Sequence, residues 1–281
     1  MSGKIAFQGE KGAYGHQACL DTCPDFEPLP CETFDDALEA VRDHKADLGM
    51  IAVENSTYGR VADVHSLLPE SGLHIVGETF VRVHVNLLGK RGASLDDITD
   101  AHGHPVILPQ CGKFLRDHKI TGHSSTDNAR AAREVAAGSD FHAAALASEL
   151  AAEIYGLDVL ARHIEDHDRN TTRFLIMARE PDLTRRGDYG MMTSFVFRVR
   201  NIPAALYKAM GGFATNNVNM TKLESYMIGG AFTATQFYAE IEGHPEDHNV
   251  QLAMEELGYF TDHLVIMGTY PAAARRHEEA S

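Results

Sequence analysis

Between residues 4 and 178 short apolar runs alternate with stretches of helical period, and beyond residue 190 the order of the two changes. The alternation is the pattern of an α/β sheet whose strands are joined by helical crossovers. "KIAF" reads as the first strand, followed by the glycine-bearing loop "QGEKGAYG" and a helix through "HQACLDTC". Thr33 precedes Phe34, Ala37, Leu38 and Val41, which share one helical face, and Asp36 stands where a capping box needs its acid. "DLGMIAV" is a buried strand ending at "ENSTYG", and "HIVGETFVRVHVNLL" is a further strand-like run. "AHGHPVILPQC" leads into a helix starting near Gly112, and a second helix is expected to be capped at Ser125 or Thr126 and to stop at Gly138. The alanine-rich "HAAALASELAAEIYGL" carries the strongest helical signal, closed by Gly156, and "RFLIMAR" supplies the last strand of this half.

Residues 179–190, "REPDLTRRGDYG", are polar and turn-rich and read as a linker. After them come the strand "MTSFVFRVR" and the helix "PAALYKAMGGFATN", with Pro203 suited to its first turn. "MTKLESYMI" and "AFTATQFYAEI" are strands joined at Gly229-Gly230, followed by the helix "PEDHNVQLAMEEL" and the strand "HLVIMGTY". The order βαββαβ over about 80 residues is a ferredoxin-like unit. The charged tail from Ala272 is expected to fray. With 281 residues in all, two domains are expected, 1–180 and 191–271.

Lys and Arg total 25 against 40 Asp and Glu, a formal charge of −15 that argues against nucleic acid and anionic membrane as partners. An anionic ligand then needs a local pocket working against the global field. With 44% hydrophobic residues the chain can bury a core. None of the four cysteines forms a CxxC pair, and Cys19 and Cys23, a helical turn apart, read as thiols. The N-terminus begins a strand without an apolar signal core and no long uncharged apolar stretch follows, so the expected compartment is the cytoplasm.

Sixteen histidines invite a metal, with His102/His104 and His163/His167 as pairs and Glu165, Asp166 and Asp168 as oxygen donors. No HExxH or Cys/His finger spacing accompanies them, so solvated loop histidines and no metal are expected. "GEKGAYG" lacks both the dinucleotide and the P-loop spacing; as a strand-to-helix turn it suits either a small carboxylate or a tight connection. "ENST", Glu54 to Thr57, leaves the end of a buried strand, where ligands sit in open α/β sheets and where turns also close. Gln110 stands at a helix start, as a binding group or a neighbour of the cap. "NTTRFLIM", from Asn170, runs small polar residues and an arginine into an apolar strand without any acid, marking either a terminus or a site.

Four stretches, in this order and spacing, resemble the prephenate dehydratase family with a C-terminal ACT regulatory domain: "FQGEKGAYG", "ADLGMIAVENSTYGRV", "HP…QC" from His104 to Cys111, and "NTTRF" from Asn170 to Phe174. The resemblance covers residues 4–271. It implies a two-lobed catalytic region shaped like a type II periplasmic binding protein, crossing between lobes near Gly72–Glu78 and returning near His163–Arg173. The implied activity is a carbon–oxygen lyase that converts prephenate to phenylpyruvate in phenylalanine synthesis, with no metal, flavin or nicotinamide. Its implied catalytic set is Thr172, Asn55, Gln110 and Glu54, with Thr172 donating a hydrogen bond to the departing hydroxyl. Substrate binding would fall to Ser56, Arg173, Phe174, Gly12 and Tyr14, Arg173 either gripping a carboxylate or anchoring its strand. Phenylalanine would bind as effector at an ACT dimer interface through Ala204, Ala205, Leu206, Asn217, Asn219, Glu224 and Ser225, in a homodimer or homotetramer. The chain departs from the family at Gly103-His104-Pro105-Val106 (commonly Ser-His-Pro-Gln), at Ala204 (commonly Gly) and at Tyr226-Met227 (commonly Arg-Pro). Two alternatives stand beside this reading: arogenate as the substrate, or an amino-acid-sensing binding protein without chemistry.

Overall fold

In the computed structural model, which describes residues 3–167, 169–184, 186–200, 202–227 and 234–278, the chain forms two units. One holds the residues up to Leu67 with Thr79–Leu175, the other Leu68–Glu78 with the residues from Ile176 on. The strands of the first half are β1 (Lys4–Gln8), β2 (Glu27–Cys31), β3 (Leu48–Asn55), β4 (Gly59–Arg60), β5 (His74–Arg82), β6 (Asn86–Gly89) and β7 (Asp100–Gly103). After them come β8 (Thr121–Ser124), β9 (Ala143–Ala147), β10 (Asp158–Ala161) and β11 (Thr171–Ala178). Their helices are α1 (Tyr14–Thr22), α2 (Phe34–Arg42), α3 (Ala62–Leu67), α4 (Gly112–Asp117), α5 (Asn128–Ala137) and α6 (Glu149–Tyr155). The second half adds β12 (Met191–Val199), α7 (Ala205–Thr215), β13 (Met220–Met227), β14 (Ala234–Glu242), α8 (His248–Phe260), β15 (Thr261–Pro271) and α9 (Arg275–Glu278).

The first unit has two sheets and is mixed α/β. One runs β5-β11-β3-β1-β2, with β1 parallel to both β2 and β3 and with β4 hairpinned onto β3. The other runs β10-β6-β9-β7-β8. Apolar runs build the centres of both: Ile5, Ala6 and Phe7 in β1 and Leu87 and Leu88 in β6 have no exposed surface. α2 begins as the sequence requires, Thr33 accepting from the Asp36 amide while the Asp36 carboxylate accepts from the Thr33 amide.

Several expectations fail for identifiable reasons. The alanine-rich segment is not one helix, because Ala143–Ala147 forms β9, hydrogen-bonded between β6 and β7. Its uninterrupted apolar run fits a strand buried on both faces, and alanine's helical propensity yields to that burial. α6 starts only after Ser148, which accepts from the Ala151 amide, and Gly156 closes it at φ 68. The cap of α5 is Asp127, not Ser125 or Thr126, since its Oδ1 takes the amides of both Ala129 and Arg130. "HIVGETFVRVHVNLL" divides into β5 and β6 around Val83–Val85, where the chain passes from the first sheet to the second. The crossing is therefore there and not at Gly72–Glu78, most of which is strand; the return occupies residues 162–170.

The second unit has the order β12-α7-β13-β14-α8-β15, with the antiparallel sheet β13-β14-β12-β15. Phe195, Phe197, Phe213, Phe237 and Leu257 fill the layer between this sheet and its helices α7 and α8. That is the ferredoxin-like arrangement expected from the pattern; the Gly229-Gly230 turn lies outside the described residues. Pro203 precedes the cap of α7 instead of entering its first turn, the cap being Ala204 in the left-handed region at φ 62. β15 meets β5 at Gly268 and Ile75, where a Cβ on the glycine would stand 2.1 Å from the Ile75 carbonyl oxygen, so only glycine fits.

The tail does not fray through Ala272–Glu278. Arg276 reaches the buried Glu78 with Nε to Oε1 at 2.6 Å and Nη2 to Oε2 at 2.8 Å, and its Nη2 also reaches Glu240 Oε2 at 3.1 Å. The Ala273 amide and the Tyr238 hydroxyl donate to the same two carboxylates. Arg276→Ala removes the guanidinium that these two buried carboxylates share, so urea unfolding is expected to show a loss of about 3–5 kcal/mol; a loss below about 1 kcal/mol contradicts this role. Ala204→Gly relieves the left-handed alanine and is expected to raise stability by about 0.5–1 kcal/mol in the same measurement.

Candidate functional site

β11 alternates its side chains, so Thr172 and Phe174 face one way and Thr171 and Arg173 the other. Thr172 and Phe174 line a cavity of about 470 Å³ whose walls come from both sheets of the first unit. From the first sheet and its loops come Met50, Ala52, Asn55 and Arg60; from the second come His104, Val106, Gln110, Asp127 and Asn128.

Asn55, at the end of β3, spends its whole amide internally. Nδ2 donates to Asn170 Oδ1 at 2.7 Å and to Thr172 Oγ1 at 3.0 Å, while Oδ1 accepts the amides of Thr57 and Tyr58 at 3.0 Å each. Asn170 Nδ2 donates on to Gln110 Oε1, and Gln110 Nε2 donates to the Val106 carbonyl at 3.0 Å. The Asn170 carbonyl accepts from the Val83 amide at 2.9 Å, which ties the outgoing crossing to the returning one. Because Thr172 Oγ1 accepts from Asn55, its own proton is left to point elsewhere, into the cavity. The donated bond also polarises that hydroxyl.

Apart from Asp127, the second wall carries neutral groups. Burial lowers the His104 pKa, partly offset by Asp127, and Nδ1 accepts the Val106 amide, so the ring is neutral with its proton on Nε2. Tyr14 donates to the His84 carbonyl at 2.8 Å, and burial first, then Cys111 and Glu165, push its phenol far above the ordinary range. Asp127 is raised by burial, against the two amides that lower it.

Other residues singled out from the sequence lie apart from the cavity. Arg173 is buried beside Glu54, with Nη1 and Oε2 3.9 Å apart, and neither side chain lines it. Ser56 is a staple: its amide and hydroxyl bond Thr171, and its hydroxyl donates to the Arg169 carbonyl. Gly12 is a close approach, since a Cβ there would lie 2.9 Å from Ala151 Cα, and its carbonyl accepts the Ser148 hydroxyl at 2.6 Å. In the second unit Asn217 and Asn219 line a separate cavity of about 410 Å³ that Ala204, Ala205, Leu206, Glu224 and Ser225 do not line. Of the candidate metal donors, His163 and Glu165 come together with His84, their ligand atoms within 4.8 Å of one another among the described residues. His102 stacks on His123, and His163 stacks on His84 beside Glu165, with centroids 4.1 Å apart. Asp168 lies outside the described residues.

Asn170, His104 and Asp127 were missed or underweighted as site residues. Asn170 belonged to a motif already singled out; its partners lie 115 and 60 positions away, which no local pattern displays. Behind the cavity, His16 Nδ1 accepts the Gly12 amide at 3.0 Å, and burial, then Lys11, lower its pKa below 6.5. The folded chain thus binds this proton less readily than the unfolded one. The stability from neutral His16 is present above pH 6.5 and is lost as pH falls below it. Thermal midpoints at about pH 7 and about pH 5 are expected to differ less in His16→Asn than in the wild type; an equal difference contradicts the assignment.

The prephenate dehydratase family profile matches residues 5–182. A Komagataeibacter europaeus protein named bifunctional N-acyl-homoserine lactone acylase/prephenate dehydratase is 47% identical over 274 residues, 98% of each chain. Arogenate dehydratase/prephenate dehydratase 2 of Arabidopsis thaliana, named as chloroplastic, is 36% identical over 277 residues, spanning 95% of this chain and 72% of its own. The crystal structure of prephenate dehydratase in complex with L-Phe from Arthrobacter aurescens superposes with a TM-score of 0.87 at 27% identity, over 96% of this chain and 90% of that one.

Proposed function

The chain belongs to the prephenate dehydratase family, and from that premise we propose that it converts prephenate to phenylpyruvate, CO2 and water. The ring-to-carboxylate bond breaks, its electron pair enters the ring, and the bond to the ring hydroxyl breaks with release of hydroxide. Aromatisation drives the step, so the protein has to orient the substrate and stabilise charge on the departing oxygen. The observation that carries the reading is the Thr172 hydroxyl, which faces the cavity with its oxygen already accepting from Asn55. Thr172 donates a hydrogen bond to the leaving oxygen as charge builds there, and solvent completes the proton transfer to water. Asn55, Asn170 and Gln110 are positioning residues for that donor, and Phe174 and Met50 supply apolar surface for the ring.

Residues 1–180 carry this chemistry in the proposal, and 191–271 act as an ACT regulatory domain that binds phenylalanine in a cytoplasmic homodimer or homotetramer. The cavity beside Asn217 and Asn219 and the relative solved with L-Phe support the effector. The Komagataeibacter name supports a second activity, hydrolysis of an N-acyl-homoserine lactone, in the same apolar cavity. Release of fatty acid from a labelled acyl-homoserine lactone tests it, and no release above the buffer rate dismisses it.

Purified protein is expected to form phenylpyruvate from prephenate, and Thr172→Val to lose about a hundredfold or more in kcat with little change in KM. Wild-type binding of prephenate with turnover of neither prephenate nor arogenate points instead to a sensor.

A further inference from the structure

Among the described side chains lining the cavity, Asp127 carries the carboxylate and Arg60 the guanidinium. The two oxygens of Asp127 differ in what they do. Oδ1 caps α5, taking the Ala129 amide at 2.7 Å and the Arg130 amide at 3.0 Å. Oδ2 takes no hydrogen bond among the described residues, and the residue itself lines the cavity. It lies across from Gly9, where a Cβ would stand 3.2 Å away and narrow the approach.

An uncovered carboxylate oxygen repels an anionic ligand and attracts a cationic group. Prephenate carries two carboxylates and a ketone. Arogenate, which several relatives are named for, carries an ammonium where prephenate has the ketone. In both, the side chain sits on the ring carbon opposite the hydroxyl. A ligand whose hydroxyl is held at Thr172, on the first sheet, can extend that side chain across the cavity to the wall that includes His104, Asp127 and Asn128.

We infer that Asp127 is a specificity-determining residue, whose Oδ2 receives the α-ammonium of arogenate and so tilts selectivity toward the amino-acid substrate and away from prephenate. The inference rests on the dehydratase reading above. It uses the same leaving-group chemistry at Thr172 and adds only a salt bridge at the far end of the ring. A bound ammonium also offsets the cost of desolvating the Asp127 carboxylate, which burial otherwise pushes toward its neutral form. His104 next to it is neutral and adds no competing positive charge.

The bland role of Asp127 is the cap alone, and the test separates the two. Asp127→Asn and Asp127→Ser both retain a good capping side chain and lose the charge. Their folding is checked by thermal midpoint against wild type. With full-length protein and both substrates, kcat/KM for arogenate is expected to fall and that for prephenate to rise. The arogenate-to-prephenate ratio should drop by at least about tenfold in each variant. Equal changes on the two substrates, in variants that melt like wild type, overturn the assignment and leave the dehydratase reading intact. Wild-type protein inert toward both substrates overturns that reading and this inference with it.

Discussion

The hydrogen bond from Asn55 Nδ2 to Asn170 Oδ1 holds the site together. It joins the end of β3 to the segment returning from the second sheet, and three further bonds depend on it. Asn170 passes the polarity on to Gln110 in the second sheet's half, its carbonyl takes the Val83 amide of the outgoing crossing, and Asn55 directs its remaining proton to Thr172. Asn170 is 1% exposed, so any of these groups left unmatched costs its full desolvation. A fully matched buried amide network therefore fixes one geometry, and the Thr172 hydroxyl inherits it.

The network is neutral, and so is most of what faces the cavity. A protein of formal charge −15 could concentrate cations around an anionic ligand, but it works largely with amides, a hydroxyl, a protonated phenol and an uncharged imidazole. Neutral donors remain effective in a desolvated pocket because burying them costs less than burying an unpaired charge. Arg173, the cation expected at the site, is instead buried beside Glu54 on the other face of β11. Arg60 and Asp127 break the neutrality, and the role inferred for Asp127 rests on that charge.

Much of the fold was legible because it is local. The strand "KIAF", the capping box at Thr33 and Asp36, and the βαββαβ order of the second half all follow from period and cap chemistry within a few residues. The failures sit where tertiary context overrules local preference. Ala143–Ala147 has the composition of a helix and becomes a strand because β6 and β7 offer it partners on both edges. The tail looked frayed because Arg276 finds Glu78 198 positions away. At the candidate site, Thr172, Asn55 and Phe174 were named through the family resemblance of their motifs. The role of Asn170 needed a partner 115 residues distant, and the free oxygen of Asp127 could be recognised only once its other oxygen was seen to be occupied.

In the proposed reaction the amide chain acts through the Thr172 hydroxyl and on nothing else. A double-mutant cycle on kcat, with Asn170→Ala, Thr172→Val and the pair together, measures it directly. Asn170→Ala is expected to slow turnover by itself and to add no further loss once Thr172 is valine. Losses that multiply in the pair would show that Asn170 serves the reaction by a route that does not pass through Thr172.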